Sequence, residues 1–452
     1  MVPARFPHLR GDLRALFVVG WPLILNNLFS MGVNVADTLM IGRLGATPLA
    51  ALAVGSGLWI GIFLGGLGIL MALGPMVSHH YGAQRMMEIG HDTRQALWLA
   101  LGISALAILL MRNVSPLLEL IGIAPEIREL AVDYLRALSW GVPGAYFYHA
   151  FRQMNEGVGR TVPIMVVTGL TLVINVSLSF VLVFGKFGLA PRGVEGCGLG
   201  TALSFWCMFL MILAHVRRHP YYERFDLWRG MARPDWHAMV RLLGLGWPIG
   251  LSLLLQAGLF TTLALLMGRL GADYAAAHQI TLNYAGLVFM IPLGLAFATA
   301  VLVGQATGRG APREARRTGI VGVGLCFSIA GTIGIATLAA APLIASLYTR
   351  DPAVVALATS LLAISAFLQL GDGTQSAAAG ALRGLKDTRV PMLINGAIYW
   401  GVGFVAAWSL GLGLGWQGRG IWTGLALALC TAAVVLSLRF RYIVGRHITG
   451  QT

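Results

Sequence analysis

Twelve long apolar runs, separated by short polar gaps, fill most of this 452-residue chain. They lie at 14–38, 47–76, 94–112, 128–150, 161–184, 195–216, 240–266, 277–303, 317–340, 353–380, 390–412 and 418–438. A helix of about 20 apolar residues crosses the hydrocarbon of a bilayer. The runs are continuous, whereas barrel strands alternate every second residue over about 10 positions. Only 11% of residues are charged and 57% are hydrophobic, too little charge to cover a water-soluble fold of this size. The expected fold is an all-α polytopic membrane protein with twelve transmembrane helices.

The gaps orient these helices. With the N-terminus inside, 23 of the 32 basic residues fall on the cytoplasmic side, among them Arg5, Arg85, Arg160, Arg229, Arg313 and Arg441. Cytoplasmic loops carry an excess of Lys and Arg, so both termini are expected in the cytoplasm. The net charge of +14 is thereby explained without nucleic acid as a partner. Membrane lipids are the surroundings this composition implies.

Catalytic signatures are missing. The chain has no Walker A run, no HExxH and no GxSxG, so it is expected to be neither an ATPase nor another enzyme, and to carry no cofactor. Its four cysteines, Cys197, Cys207, Cys326 and Cys430, are scattered through apolar runs and read as buried thiols.

The chain repeats itself. Gly20-Trp21-Pro22 returns as Gly246-Trp247-Pro248, and Gly42-Arg43-Leu44-Gly45-Ala46 as Gly268-Arg269-Leu270-Gly271-Ala272, both at an offset of 226. The expected organisation is an amino-terminal six-helix bundle (1–216), a cytoplasmic connecting loop (217–239) and a carboxy-terminal six-helix bundle (240–452). An even number of helices per repeat enters the membrane from the same side each time. Such repeats are related by a pseudo-two-fold axis along the membrane normal, a layout associated with carriers. Gly57, Gly61 and Gly65 lie four apart and are expected to serve close helix packing. Trp21, Trp59, Trp140, Trp247 and Trp422 are expected to anchor helices at the interface.

Polar residues inside the apolar runs are the candidate site. Asn27, Ser30, Asn34 and Asp37 fall on one stripe of the first helix at about 100° per residue. A carboxylate in hydrocarbon is costly and usually faces a cavity or pathway. Burial favours a neutral carboxyl and a bound cation an ionised one, so such a group can exchange a proton or Na⁺ for another cargo. An outer-edge position beside Arg43 is the alternative for Asp37. Thr168, Thr171, Asn175 and Ser179 share a face of the fifth run, and Asn175 can orient a carboxylate or make a plain interhelical bond. Ser365, Gln369, Asp372 and Ser376 form a stripe in the tenth run, where Gly371 and Gly373 are expected to loosen the helix. Gln256 in the seventh run can coordinate a cation but not carry a proton. His278, Asn283 and Tyr284 open the eighth run as candidates for the mouth of a cargo cavity, with a packed, hydrogen-bonded role the alternative for His278. Glu156, among Arg152 and Arg160, reads as an ion pair.

The run from Val35-Ala36-Asp37-Thr38-Leu39-Met40-Ile41 to Gly42-Arg43-Leu44-Gly45 resembles the first-helix signature of the multidrug and toxic compound extrusion (MATE) transporters. Ala276-Ala277-His278-Gln279-Ile280, Phe289-Met290-Ile291-Pro292-Leu293-Gly294, and the run from Ala379-Gly380-Ala381-Leu382-Arg383 to Gly384-Leu385-Lys386-Asp387-Thr388 strengthen the likeness, which is closest to the bacterial NorM-type branch. The resemblance implies a V-shaped pair of bundles in a bacterial inner membrane. It implies efflux of lipophilic, often cationic compounds by antiport with H⁺ or Na⁺. By similarity, Asp37 and Asn175 belong to the polar site of the first bundle and Asp372 is the acidic position of the second. Gln256 stands where the NorM-type pattern usually carries glutamate, which leaves H⁺ favoured over Na⁺.

Two other functions fit a polytopic chain. A flippase for a lipid-linked sugar would need a basic cavity for phosphates, whereas the polar groups within these runs are mostly Asp, Asn, Gln and Ser. A non-transporting scaffold has no need of Asp37 and Asp372 in hydrocarbon.

Overall fold

Lipid offers no hydrogen bonds to a backbone, so a chain that crosses it must satisfy every N–H and C=O internally. The computed structural model describes residues 9–228 and 233–449, and every regular element among them is helical. Arg5 and Arg229 lie outside the described residues. In order the helices are α1 (Leu9–Gly42), α2 (Ala46–Leu70), α3 (Leu73–Gly82), α4 (Met86–Arg112), α5 (Ser115–Leu120), α6 (Pro125–Ser139), α7 (Val142–Gly157), α8 (Val162–Phe184) and α9 (Gly193–Arg218). A 3₁₀ turn at Pro220–Phe225 leads to α10 (Trp236–Leu270), α11 (Ala272–Gly308), α12 (Pro312–Tyr348) and α13 (Pro352–Gly384). Next, α14 (Arg389–Gly396) passes through π-helical turns at Ala397–Phe404 into α15 (Val405–Trp408) and further π-helical turns at Ser409–Gly413. The last helix is α16 (Gln417–Thr449).

Eleven helical stretches among the described residues are long and apolar enough to span a membrane. The run expected at 128–150 is not an uninterrupted helix. It is divided between α6 and α7 at Trp140–Gly141, and Pro143, at the start of α7, has no N–H to continue the α6 ladder. Arg128, Asp133 and Arg136 make α6 amphipathic rather than wholly apolar.

Contacts divide the chain into two compact units. One contains Met1–Ile24, Gly82–Gln84 and Leu251–Thr452, the other Leu25–Tyr81 and Arg85–Gly250. Both changes of unit between the halves fall inside a helix, two residues beyond Pro22 in α1 and two beyond Pro248 in α10. An internal proline removes a backbone bond and strains the turn before it, a local reason for a helix to change neighbours there. The start of α1 buries Leu16, Val19 and Leu23 with Ala298 of α11. The start of α10 buries Leu242 in the core that includes Ile89 and Phe225. The repeated Gly-Trp-Pro therefore marks the same structural event twice.

The segment before α10 is held on α4. Arg94 donates to the Asp226 carbonyl, while Gln95 accepts from the Asp235 N–H at 2.8 Å and donates to the Arg233 carbonyl at 3.2 Å. His91 lies 3.4 Å from the Asp235 carboxylate, and His80 lies 3.0 Å from that of Asp92. Asp235 also caps α10, and the N–H groups of Ala238 and His237 hold its carboxyl below the usual range.

A Cβ added at Gly57 or Gly61 would meet nothing within 4 Å, so these two do not serve close packing. That role falls to Gly68, where a Cβ would overlap the backbone of Gly250. Trp59 and Trp422 are buried instead of lying at an interface; Trp59 packs against Phe63 with ring centroids 5.0 Å apart. Spacing alone did not separate an open helix face from a packed one. Gly68→Ala should therefore lower the unfolding temperature in detergent, with a cost of about 1–3 kcal/mol from overpacking. Gly61→Ala, with open space around it, should leave that temperature unchanged or slightly raised.

Candidate functional site

The residues expected to share one face of α8 are buried together. Thr168, Thr171, Asn175 and Ser179 are all nearly inaccessible. Helix α9 can close onto it because Gly200 has no side chain; a Cβ there would sit 2.5 Å from the Ser179 hydroxyl. This approach brings Thr201 beside Asn175 and Asp37. The Asn175 amide donates to the Thr201 hydroxyl at 3.2 Å, and that hydroxyl donates to Asp37 Oδ2 at 3.1 Å. Ser179 and Cys197 flank the same carboxyl.

This chain of bonds has a direction. Thr201 donates its single proton to Oδ2 when Asp37 is ionised. Asp37 Oδ1, Asn175 Oδ1 and the Ser179 hydroxyl are buried and make no well-aligned hydrogen bond, although Ser179 and Cys197 stand close enough to the Asp37 carboxyl to act as its donors. Buried polar atoms are normally paired. Oδ1 is thus held less firmly than Oδ2, which Thr201 fixes. No ion pair joins Arg43 to Asp37 among the described residues, and Asp37 is only 6% exposed.

A second polar chain lies in the same unit. Tyr148 and Thr168 share a hydrogen bond at 2.9 Å, Thr168 donates to Asn26 at 2.7 Å, and Asn26 donates to Asn27 at 3.3 Å. Asn27 is therefore connected to α8 through Asn26. Asn34 is exposed and reaches only the Ser30 carbonyl, at 3.5 Å, so it stands apart from the Asp37 cluster. Glu156 is buried and paired with Arg152 at 2.6 Å, a structural ion pair.

In the other unit, α13 buries Ser365, Gln369, Asp372 and Gln375. Gln256 approaches the Asp372 carboxyl. Asp372 Oδ1 and both polar atoms of the Gln369 amide have no partner. Gln375 donates to Tyr399 at 2.5 Å. The glycines beside Asp372 do not loosen the helix, which is continuous from Pro352 to Gly384. A Cβ at Gly371 would sit 2.6 Å from the backbone N of Cys430, so this glycine admits α16. His278 accepts from the Trp422 indole N–H at 3.1 Å and is buried, the packed arrangement. Tyr284 bonds Thr337 at 2.8 Å, while Asn283 is exposed.

Sequence reasoning missed Thr201, Asn26, Tyr148, Gln375 and Tyr399. The signal for Thr201 was the alternation Gly196, Gly198, Gly200, which permits close contact along α9 and ends beside a hydroxyl residue. Among the described residues no group of three His, Cys, Asp or Glu side chains could hold a metal ion.

Ionisable residues buried in apolar helices mark candidate pathways, and comparison with known proteins identifies the class. The MatE family pattern matches residues 22–181 and 248–409. The probable multidrug resistance protein NorM of Xanthomonas axonopodis pv. citri is 41% identical over 448 residues, covering 99% of this chain and 97% of that protein. The multidrug resistance protein MdtK of Yersinia pestis is 36% identical over 437 residues, covering 96% of each. Among solved structures, MATE in the bent conformation aligns with a TM-score of 0.89 at 20% identity, covering 98% of both chains. The eukaryotic MATE transporter AtDTX14 aligns with a TM-score of 0.86 at 20% identity, covering 97% of this chain and 98% of that one. These two show the shared fold. The chain belongs to the MatE family, close to its bacterial NorM-type members, and is a secondary active membrane transporter rather than an enzyme.

The geometry makes Thr201 the residue that orients Asp37. Thr201→Val should cost about 1 kcal/mol of stability through one lost interhelical bond, measured by thermal unfolding in detergent, and should slow transport. Thr201→Ser, which keeps the hydroxyl, should retain most of both.

Proposed function

We propose that this protein exports lipophilic, mostly cationic compounds across a bacterial inner membrane in exchange for H⁺, with Asp37 as the coupling carboxyl. The observation that carries this reading is the asymmetry of that group. Oδ2 is held by Thr201, while Oδ1 is buried with no well-aligned partner and only Ser179 and Cys197 beside the carboxyl. A proton on Oδ1 neutralises the carboxyl and needs no further ligand. Na⁺ would draw instead on Asp37 Oδ1, Asn175 Oδ1 and Ser179, all neutral oxygens but one. Asp372 serves as a second acidic position, with Gln256 and Gln369 beside it; Gln256 adds no negative charge there. Asn27, Asn34, Asn283 and Tyr284 are proposed to meet cargo, and aromatic faces such as Phe63 suit a lipophilic cation. His278 joins this set only through its unpartnered Nε2. The names of the NorM and MdtK relatives, which describe multidrug resistance, support drugs as cargo.

The proposed topology has twelve crossings in two six-helix bundles, with α6 and α7 together forming the fourth and both termini in the cytoplasm. A flippase for a phosphate-bearing lipid fits less well. Arg152, a half-buried basic group near the buried His149 and Asn155, is already paired with Glu156.

Purified protein in liposomes tests the reading. A pH gradient alone should drive uphill export of an ethidium-like dye, and a Na⁺ gradient alone should not. Asp37→Asn should remain folded and export only at the leak rate. Wild-type export by Asp37→Asn, or export driven by Na⁺ alone, would refute the assignment.

A further inference from the structure

A charged cavity of about 610 Å³ lies where the C-terminal end of α4 and the N-terminal end of α9 meet α6, all within one unit. Three guanidiniums, Arg112, Arg136 and Arg192, and two carboxylates, Asp133 and Glu195, line it with Trp140. Their charges are not all used within the protein. Arg192 pairs with Glu195 at 3.5 Å. Arg112 donates to the Ser139 hydroxyl at 3.2 Å and lies 4.6 Å from the Trp140 ring centroid. The side chains of Asp133 and Arg136 have no hydrogen-bond or ion-pair partner among the described residues, not even each other. They are one turn apart on α6, so a positive and a negative anchor point stand side by side.

The surface below the cavity is apolar. Leu199 lines the cavity, and Leu203, Trp206 and Leu210 continue its stripe down α9 at helical spacing. Leu203 and Leu210 are exposed, and Trp206 donates to the Trp140 carbonyl at 2.8 Å, joining the stripe to the rim. On α4, Leu106, Leu109 and Leu110 are also exposed just before Arg112. Trp140 itself is 64% exposed, as suits an aromatic ring at the membrane–water boundary. Acyl chains fit the stripes and a charged headgroup fits the cavity.

We propose that this cavity binds one zwitterionic aminophospholipid of the phosphatidylethanolamine type. Its phosphodiester would meet Arg136 and Arg112, because guanidiniums match phosphate geometry. Its ammonium, two carbons away, would meet Asp133. A purely anionic lipid would leave Asp133 facing negative charge, and a soluble phosphate would leave the apolar stripes uncovered.

Native mass spectrometry of the intact detergent-solubilised protein tests this, with phosphatidylethanolamine and phosphatidylglycerol of identical acyl chains supplied together. Wild type should retain phosphatidylethanolamine about tenfold better, the order of one charge-assisted bond. Asp133→Asn should erase that preference, Asp133→Glu should keep it, and Arg136→Gln should weaken both lipids. A photoreactive phosphatidylethanolamine should label residues 125–140 of the unmodified wild type, which reads the site without any variant. The proposal fails if phosphatidylglycerol is preferred, if Asp133→Asn keeps the wild-type preference, or if labelling falls elsewhere. It also fails if soluble glycerophosphoethanolamine displaces the lipid at equal concentration, since the occupant is then a free zwitterion.

Discussion

Hydrocarbon cannot hydrogen-bond, and that limit decides where this chain can place a polar group. The backbone answers by forming only helical regular elements among the described residues. Side chains answer by bonding across helices, and the bond at Thr201 carries the most. Its one hydroxyl accepts from Asn175 on α8 and donates to Asp37 on α1, so three helices meet at a single oxygen. Asp37 is left with one oxygen fixed by Thr201 and one held less firmly beside Ser179 and Cys197.

The two halves reach this condition differently. Around Asp37 the neighbours are hydroxyl, amide and thiol groups drawn from α8 and α9. Around Asp372 they are amides, with Gln369 and Gln375 one turn to either side on the same helix. The duplication visible in Gly-Trp-Pro therefore preserved the helix framework, including the change of unit just after Pro22 and Pro248, without preserving the polar site. Family membership fits this pattern: both family matches begin at or next to those prolines, at 22 and 248.

Much of this was legible in the sequence because a membrane helix depends on one strong signal, the length of an apolar run. The shared face of α8 followed from helical spacing, whereas the burial of Asp37, for which an outer-edge position was the alternative, did not. What spacing cannot give is which helix covers a face. Gly57 and Gly61 share the spacing of packing glycines but face open space, whereas Gly68 meets Gly250. Trp59 and Trp422 lie near run ends, yet neighbouring helices bury them. Thr201 escaped notice because a threonine on an apolar helix usually bonds its own backbone, as Thr171 does to Val167. The division at Trp140–Gly141 was hidden because apolar residues continue on both sides of it. The charges of α6 within that run, now lining a cavity, were its trace.

The central claim is that Asp37 holds the proton that cargo displaces. It can be measured without a gradient, by adding a lipophilic cation to purified protein in weakly buffered solution and recording the pH. The account expects about one proton released per cation bound by wild type and none by Asp37→Asn, with release persisting in Asp372→Asn if the two sites act independently. Equal proton release by wild type and Asp37→Asn would contradict it.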